Sequence, residues 1–471
     1  MTHARTSIFA FIALACLSAT AMAQWDPANS QWGKNDERHV RVMTWNVLDA
    51  ICSSNNAKTD TPVRWNALVR VVAAIQPDVL ILQECGDNAA FSGSGSVDTV
   101  ANLTTTIGLF INGGNDPFIA GNPPVTSYVK KFVPSYDLPY VIVSTESDGF
   151  NRNVILSRFP FTDLNGDTRT HINSFFMFAN AYATTGNSGI RGYMFAEIDL
   201  PNDVYAGDLV VGNGHLKAGG TSSDLADRLA ASQRIAYYID YLFNGAGGTV
   251  PDPNNAILDS PAATLVLGPN TPVIWGGDMN EDENTNGRKG PVEWMTRAVT
   301  TGGTDGTDKD RSDSTPDTAV EPFTGNRRTF GSSSKLDYLM YQDSIATPVV
   351  QAVFNSASVP AGKLPFPVST FPLIPSAVSS SASDHLPVFV DFLLPYTTPP
   401  CPADLNGDTV VDVLDFLDYL DAFGQCEFQP GPCVPPGSTV DADFNGDTSV
   451  DVLDLLDFFD AFGQSVGSCP T

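Results

Sequence analysis

Positive charge is scarce in this sequence. Lys and Arg number 25 against 53 Asp and Glu, which gives a formal net charge of −28 and a sequence pI near 4.2. Such a field repels polyanions such as nucleic acid at long range, so chemistry on an anionic group has to draw on a few local cations or on bound metal ions. The deficit is uneven. Residues 401–471 hold 13 Asp and one Glu with no Lys, Arg or His, a contribution of −14 and half of the total. Long apolar runs are missing as well. No segment reaches about 18 uninterrupted apolar residues, so no conventional membrane-spanning helix is expected. The run Ile8 to Leu17 is too short to span a bilayer. Arg5 before it and Ala21-Met22-Ala23 after it mark residues 1–23 as an export signal cleaved near Gln24. The chain is therefore expected to be secreted or held at the cell surface. Ala13-Leu14-Ala15 before Cys16 is a poor lipid-attachment sequence.

Cysteine is sparse too. Setting Cys16 aside leaves Cys52, Cys85, Cys401, Cys426, Cys433 and Cys469, an even number that permits disulfides in an exported chain. The last four lie in one short segment and can staple it, in any of three pairings. Cys52 and Cys85 each follow a predicted strand; they either pair or stay as buried thiols.

What is present suffices for a packed fold. Hydrophobic residues make up 42% and charged residues 17%, which rules against wholesale disorder, and Gly 39 with Pro 34 imply many turns. Val40–Val47 reads as a strand. Trp65–Ile75 has helical spacing that stops before Pro77, and Asp78–Gln83 is a buried strand. Further strands are expected at Tyr140–Ser144, Asn153–Ser157, Arg191–Ile198, Leu209–Gly214, Val273–Trp275, Leu336–Tyr341 and Leu386–Phe392, with a long helix at Asp224–Leu242. Strands interspersed with helices argue for an α/β layered architecture over residues 24–396. Asn88–Asn122 and Thr300–Arg327, rich in Gly, Ser, Thr and Asp, read as surface loops or substrate-edge insertions.

Thr397-Thr398-Pro399-Pro400 forms a short stiff linker at 397–400, and an internal repeat follows in 401–471. Asp404–Gln425 and Asp443–Gln464 differ at five positions with an offset of 39 residues. One structural unit is used twice. Each repeat places oxygen donors at loop positions 1, 3, 5, 9 and 12: Asp404, Asn406, Asp408, Asp412 and Asp415, then Asp443, Asn445, Asp447, Asp451 and Asp454. Position 7, Val410 or Ser449, offers a backbone carbonyl. That is a donor set for Ca2+, and each loop runs into an apolar stretch expected to be helical, which couples calcium to folding. The pattern resembles the dockerin type of paired loop–helix calcium module, with Thr409 and Thr448 where a turn glycine is usual and Asp in place of Glu at position 12. The resemblance implies a small all-α domain and a docking partner, expected at a cell surface. A third match, Asp163-Leu164-Asn165-Gly166-Asp167, lacks an acid at position 12, where Ser174 stands, and reads as a turn.

In the large segment, polar residues gather at strand ends: Thr44-Trp45-Asn46, Leu82-Gln83-Glu84, Gly214-His215-Leu216, Gly276-Gly277-Asp278-Met279-Asn280, Lys335-Leu336-Asp337-Tyr338 and Ser383-Asp384-His385-Leu386. Singly, each reads as a surface charge or a core-edge histidine. Together they form a set of hard oxygen ligands plus two imidazoles, which suits magnesium-assisted attack on phosphate.

Trp-Asn at 45–46, Gln-Glu at 83–84, Gly-Asp-Met-Asn at 277–280, Leu-Asp-Tyr at 336–338 and Ser-Asp-His at 383–385 resemble, in order, the motifs of the endonuclease/exonuclease/phosphatase superfamily. That superfamily includes pancreatic-type deoxyribonucleases, apurinic endonucleases, neutral sphingomyelinases and inositol-phosphate phosphatases. The resemblance implies a four-layer α/β sandwich, two packed mixed sheets flanked by helices, with Mg2+ or Mn2+ at the site. It implies Glu84 as main metal ligand with Asn46 and Asp384 nearby, Asp278 as the group that orients or deprotonates water, and Asn280 on a phosphate oxygen. His385 contacts the phosphate or acts as base, oriented by Asp337. His215 stabilises the phosphate or protonates the leaving oxygen, and Arg191 binds phosphate. Here the sequence shows no acid placed to orient His215, unlike the nuclease branch. Lys217 either adds a cation near the substrate or faces solvent. The expected activity is hydrolysis of phosphodiester bonds in extracellular nucleic acid. Sphingomyelinase or phospholipase C activity and phosphomonoesterase activity remain open, because no basic, aromatic-interleaved stripe marks a nucleic-acid groove. The reading of a different class is a non-catalytic surface scaffold that docks through its calcium repeats.

Overall fold

In the computed structural model, residues 25–54, 58–61, 63–87, 96–145, 147, 149–166, 171–172, 192–228, 231, 265, 267–282, 315–397, 403–405, 411–426, 433–434, 442–444 and 449–465 are described. Chain contacts divide the protein into two units. The first runs to Leu394, interrupted by Pro201–Gly207, which joins Pro395 onward in the second.

The first unit is built on two six-stranded mixed sheets. Its main elements are β1 (Val40–Asn46), α1 (Arg64–Ile75), β2 (Val79–Cys85), α2 (Val100–Asn112), β3 (Tyr140–Val143), β4 (Arg152–Ser157), β5 (Gly192–Ile198), β6 (Leu209–His215), β7 (Val273–Asp278), β8 (Asp337–Tyr341), β9 (Thr347–Val353), α3 (Val378–Ala382) and β10 (Val388–Leu393). One sheet has the order β9-β10-β1-β2-β4-β3. The other runs β8-β7-β6-β5, with two-residue strands at Thr315–Pro316 and His171–Ile172 on its edges. Only β1 with β2 and β6 with β7 pair in parallel; the other neighbours are antiparallel.

β1 and β2 are largely apolar and almost wholly buried because both of their faces are covered. Met43, Trp45, Leu80 and Leu82 face a core shared with α1 and α2. On the opposite face, Ile81 meets the second sheet at Gly276: a Cβ there would stand 3.1 Å from Ile81 Cδ1 and 2.7 Å from Leu339 Cδ2. At Gly277 (φ +150°) a Cβ would stand 1.9 Å from the carbonyl oxygen of Gly214, so both glycines are demanded by close approach. Polar groups also cross between the sheets. The Gln83 side-chain amide donates to Asn213 Oδ1 (2.9 Å), and Asn213 Nδ2 donates to the carbonyls of Leu82 and Val154 (2.9 Å each). At the far end of β1, the Arg41 guanidinium forks onto Asp391 of β10 (2.5 and 2.8 Å) and also donates to the carbonyls of Trp32 and Ile75, all in the interior.

α1 starts without a side-chain cap and ends where Gln76 turns left-handed before Pro77. The loop expected over 88–122 contains α2. Thr-rich composition and Gly108 weaken the helical signal, but Thr99 caps the helix through Asn102 N–H, and Leu103, Ile107, Phe110 and Ile111 bury one stripe. β9, unforeseen, carries Pro348 and alternates exposed with buried residues, as an edge strand does. Of the long helix expected at 224–242, residues 222–228 and 231 are described and helical. The remainder, on which the expected helical layer over the second sheet rests, lies outside the described residues.

The second unit holds α4 (Val413–Cys426) and α5 (Val452–Ser465). They share a small core with Ala403, Val411, Ala442 and Val450, in which Tyr419 and Phe458 stack 4.1 Å apart. Cys426 and Cys433 form a disulfide; Cys401 and Cys469 lie outside the described residues. Cys52 and Cys85 are both buried and form no disulfide with each other. The two loops repeat each other's geometry. Asp415 Oδ2 accepts from Asp412 N–H (2.9 Å) and Asp454 Oδ2 from Asp451 N–H (2.8 Å), while Asp412 and Asp451 cap the N–H groups of Leu414 and Leu453. Asp415 Oδ1 also closes the first loop onto Leu405 N–H (2.8 Å). Asp404, Asp443 and Ser449 are described; Asn406, Asp408, Val410, Asn445 and Asp447 are not. No helix among the described residues is long and apolar enough to cross a membrane.

Candidate active site

Parallel strands bring chain-distant residues to one edge. β1 ends at Asn46 opposite Gln83, with Glu84 next along β2; β6 and β7 end in register at His215 and Asp278. β8, antiparallel to β7, opens at Asp337 directly opposite Asp278. His385 arrives from the loop before β10, which three hydrogen bonds hold in place. Trp45 Nε1 donates to the His385 carbonyl (2.9 Å). Ser383 Oγ donates to the Asn46 carbonyl (2.7 Å) and accepts from His385 N–H (3.1 Å). The Trp of the Trp-Asn pair and the Ser of Ser-Asp-His are thus the braces that seat the histidine.

Asp278 Oδ2 is the point of convergence. It accepts from Asn46 Nδ2 at 3.0 Å and lies 3.4 Å from His215 Nε2 and 3.6 Å from His385 Nε2. Asp278 Oδ1 accepts from Asn280 N–H (2.9 Å), and Asn280, left-handed at φ +52°, donates through Nδ2 to the Leu216 carbonyl (3.1 Å). His385 Nδ1 is 2.8 Å from Asp337 Oδ2, which fixes the ring tautomer with Nδ1–H toward the carboxylate. Glu84, also left-handed at φ +56°, stands with Oε1 3.8 Å from His215 Nε2. Glu84 and Asp278 thus bring two carboxylates near His215 Nε2.

Burial pushes the Asp278 carboxyl up to about 7, with His385 opposing and Asp337 adding to the rise. Burial alone would lower His385, but the carboxylates of Asp337, Asp278 and Asp384 override it and raise the imidazole to about 10. Near neutral pH the site therefore pairs an imidazolium with a carboxyl group poised to exchange a proton.

The donors suit a hard divalent cation. Glu84 keeps 15% of its side chain exposed, and Asp384 is exposed at the same edge. Asn46 Oδ1 accepts from Leu48 N–H (3.1 Å), so Asn46 spans the base and the strand-end loop. Deeper in, Asp278, Asp337 and His385 offer ligand atoms within 4.8 Å of one another, and Asp337 Oδ1 is buried with no hydrogen-bond partner among the described residues. An orphaned buried acceptor of this kind is what a cation relieves.

The chain matches the model of the Endonuclease/Exonuclease/phosphatase family over residues 43–385. It belongs to that family. Among solved structures, this family member is similar to an endonuclease/exonuclease/phosphatase from Beutenbergia cavernae DSM 12333 (17% identity, 76% of this chain and 72% of that chain, TM-score 0.41). It is also similar to the human nocturnin catalytic domain with bound sulfate anion (14%, 76% and 93%, TM-score 0.38) and to sphingomyelinase C from Streptomyces griseocarneus (15%, 75% and 99%, TM-score 0.36). No curated protein matches it. The family fold is that of phosphoester hydrolases.

Of the residues expected at this family member's site, Asn46, His215, Asp278, Asn280, Asp337 and His385 come together, with Glu84 beside His215 and Asp384 beside His385. Arg191 lies outside the described residues. Lys217 pairs with Asp224 at 3.3 Å. One cation escaped the sequence reading. Arg64, at the start of α1, donates to the Leu48 carbonyl (2.8 Å); burial lowers its guanidinium, against the pull of Asp384, Asp49 and Glu84. Its only sequence signal was a place at a helix start, which many unrelated arginines share.

Proposed function

We propose that this protein is an exported, divalent-metal-dependent phosphodiesterase that cleaves nucleic acid outside the cell. The carrying observation is the convergence of Asn46, His215 and His385 on one buried carboxylate oxygen of Asp278. Glu84 and Asp384, with Asn46, would hold Mg2+ or Mn2+, which supplies charge neutralisation on the phosphate when bound. Asp278 orients the attacking water and takes its proton, a task suited to a carboxylate raised toward neutrality. As the new P–O bond forms, the old one breaks with its electron pair on the leaving oxygen, and His215 supplies the proton that this oxygen takes up. His385, charged and held by Asp337, faces the developing charge on the non-bridging oxygens together with the Asn280 amide.

The segment Arg327-Arg328-Thr329-Phe330 favours a nucleic-acid substrate. It brings the Phe330 ring to 4.7 Å from the His385 ring, with Arg327 three residues and Arg328 two residues before it, the latter donating to the Gly331 carbonyl (2.6 Å). Ring faces and arginines are the groups that single-stranded substrates stack on and track along. In the second unit, the duplicated loops are read as Ca2+ sites and α4 and α5 as a docking surface for a cell-surface partner. Val413, Leu414 and Leu417 of α4, and Val452, Leu453 and Leu456 of α5, stand exposed at equivalent repeat positions.

Turnover of bis-p-nitrophenyl phosphate in Mg2+ or Mn2+, abolished by chelator, is the expected result. No turnover in any divalent metal would favour the scaffold reading. A panel of plasmid DNA, RNA, sphingomyelin and a phosphomonoester then decides the substrate, and preference for either of the last two overturns the nucleic-acid assignment.

A further inference from the structure

Asp337 and His385 sit on different segments, yet their mutual geometry has to be held closely for one to orient the other. The short turn at 328–334 touches both. Thr329 is fully buried. Its hydroxyl oxygen accepts from two consecutive backbone donors, Leu336 N–H (2.9 Å) and Asp337 N–H (3.1 Å). Its carbonyl accepts from Leu386 N–H (2.7 Å), the residue after His385. The turn is closed behind it by Thr329 N–H and Phe330 N–H, both donating to the Ser334 carbonyl (2.8 and 3.0 Å). Phe330 then bridges to His385 in the backbone and packs its ring against the imidazole.

We propose that Thr329 is a positioning residue for the Asp337–His385 pair, its hydroxyl fixing the backbone under the carboxylate and its carbonyl fixing the backbone beside the imidazole. A hydroxyl has two acceptor lone pairs, which both N–H groups use here. Valine fills the same space and leaves two buried donors unmatched, so the β8 end shifts until they find partners. Serine keeps the acceptor. A shift of about 1 Å at a reacting group costs on the order of 100-fold in rate.

The proposal rests on the reading of His385 as a reacting group, and two readouts separate them. In the full-length protein, Thr329→Val should lower kcat for bis-p-nitrophenyl phosphate about 100-fold with little change in KM, and Thr329→Ser should restore most of it. In the metal-free, 15N-histidine-labelled protein, the downfield Nδ1–H proton of His385 should persist in wild type and Thr329→Ser and vanish in Thr329→Val. If Thr329→Val fails to fold, Thr329→Ala carries both measurements. An unchanged proton signal in the hydroxyl-free variant, or Thr329→Ser as impaired as Thr329→Val, overturns the assignment. A lost signal with kcat intact leaves Thr329 as the positioning group and overturns the reading of His385 instead.

Discussion

Asp278 should cost the protein stability for the sake of its chemistry, and Asp278→Asn should expose that cost. In the fold, burial moves this carboxyl from its ordinary 3.8 to about 7. The sign follows from linkage. A group raised in the native state favours folding fully below the unfolded value, near pH 4, and that contribution is lost as pH rises through the native value, near 7. At about 1.4 kcal/mol per pH unit, the difference amounts to about 4 kcal/mol above pH 7. Asparagine is nearly isosteric, retains an acceptor for Asn46 and never ionises. With chelator present to remove adventitious metal, Asp278→Asn should therefore be more stable than wild type at pH 8 by up to about 4 kcal/mol and no more stable at pH 4, while turnover in added Mg2+ falls by several orders of magnitude. Denaturant unfolding across this pH range measures the first, and bis-p-nitrophenyl phosphate hydrolysis the second. Equal stability of the two proteins at pH 8, or the same gain at both pH values, would refute the claim that burial penalises this carboxylate.

His385→Ala should lower turnover by several orders of magnitude while near-UV circular dichroism stays native, and retention of most activity would contradict its role. Asp391→Asn, which strands the buried Arg41 guanidinium, should destabilise the first unit by about 3–5 kcal/mol in urea unfolding; Arg41→Met with Asp391→Leu should recover most of the loss, since an apolar pair replaces the ion pair without leaving an unmatched charge. Removal of residues 401–471 should leave hydrolysis intact, provided Pro395–Thr397 are kept, because the Pro395 carbonyl and Thr397 N–H bond to Ala206 and Val204. Ca2+ should raise the helical circular dichroism of the full chain and chelator should reverse it, and Asp415→Ala with Asp454→Ala should abolish the response.

The strands that carry the site were legible because each is a run of apolar residues covered on both faces and terminated by a polar group. Val40–Asn46 and Val79–Cys85 fall within a residue or two of their expected bounds. Elements whose pattern is diluted were not. α2 hides its apolar stripe among threonines, and β9 carries a proline that only an edge strand tolerates. At the site, residue type and strand-end position pointed to Asn46, Glu84, His215, Asp278, Asp337 and His385. What they could not convey is who touches whom. That Trp45 holds the His385 loop and that Thr329 reaches Asp337 depend on backbone donors and acceptors, which every residue possesses and no motif records.

The polar ties from Gln83 to Asn213, and from Asn213 to Leu82 and Val154, have a consequence for how the molecule works. Asn46 and Glu84 hang from one sheet, His215 and Asp278 from the other, so the gap between layers is also the gap between reagents. Amides a few residues below the reacting groups tie the two layers together, which opposes their sliding or parting. Substrate admission and product release then fall to the rim rather than to the scaffold.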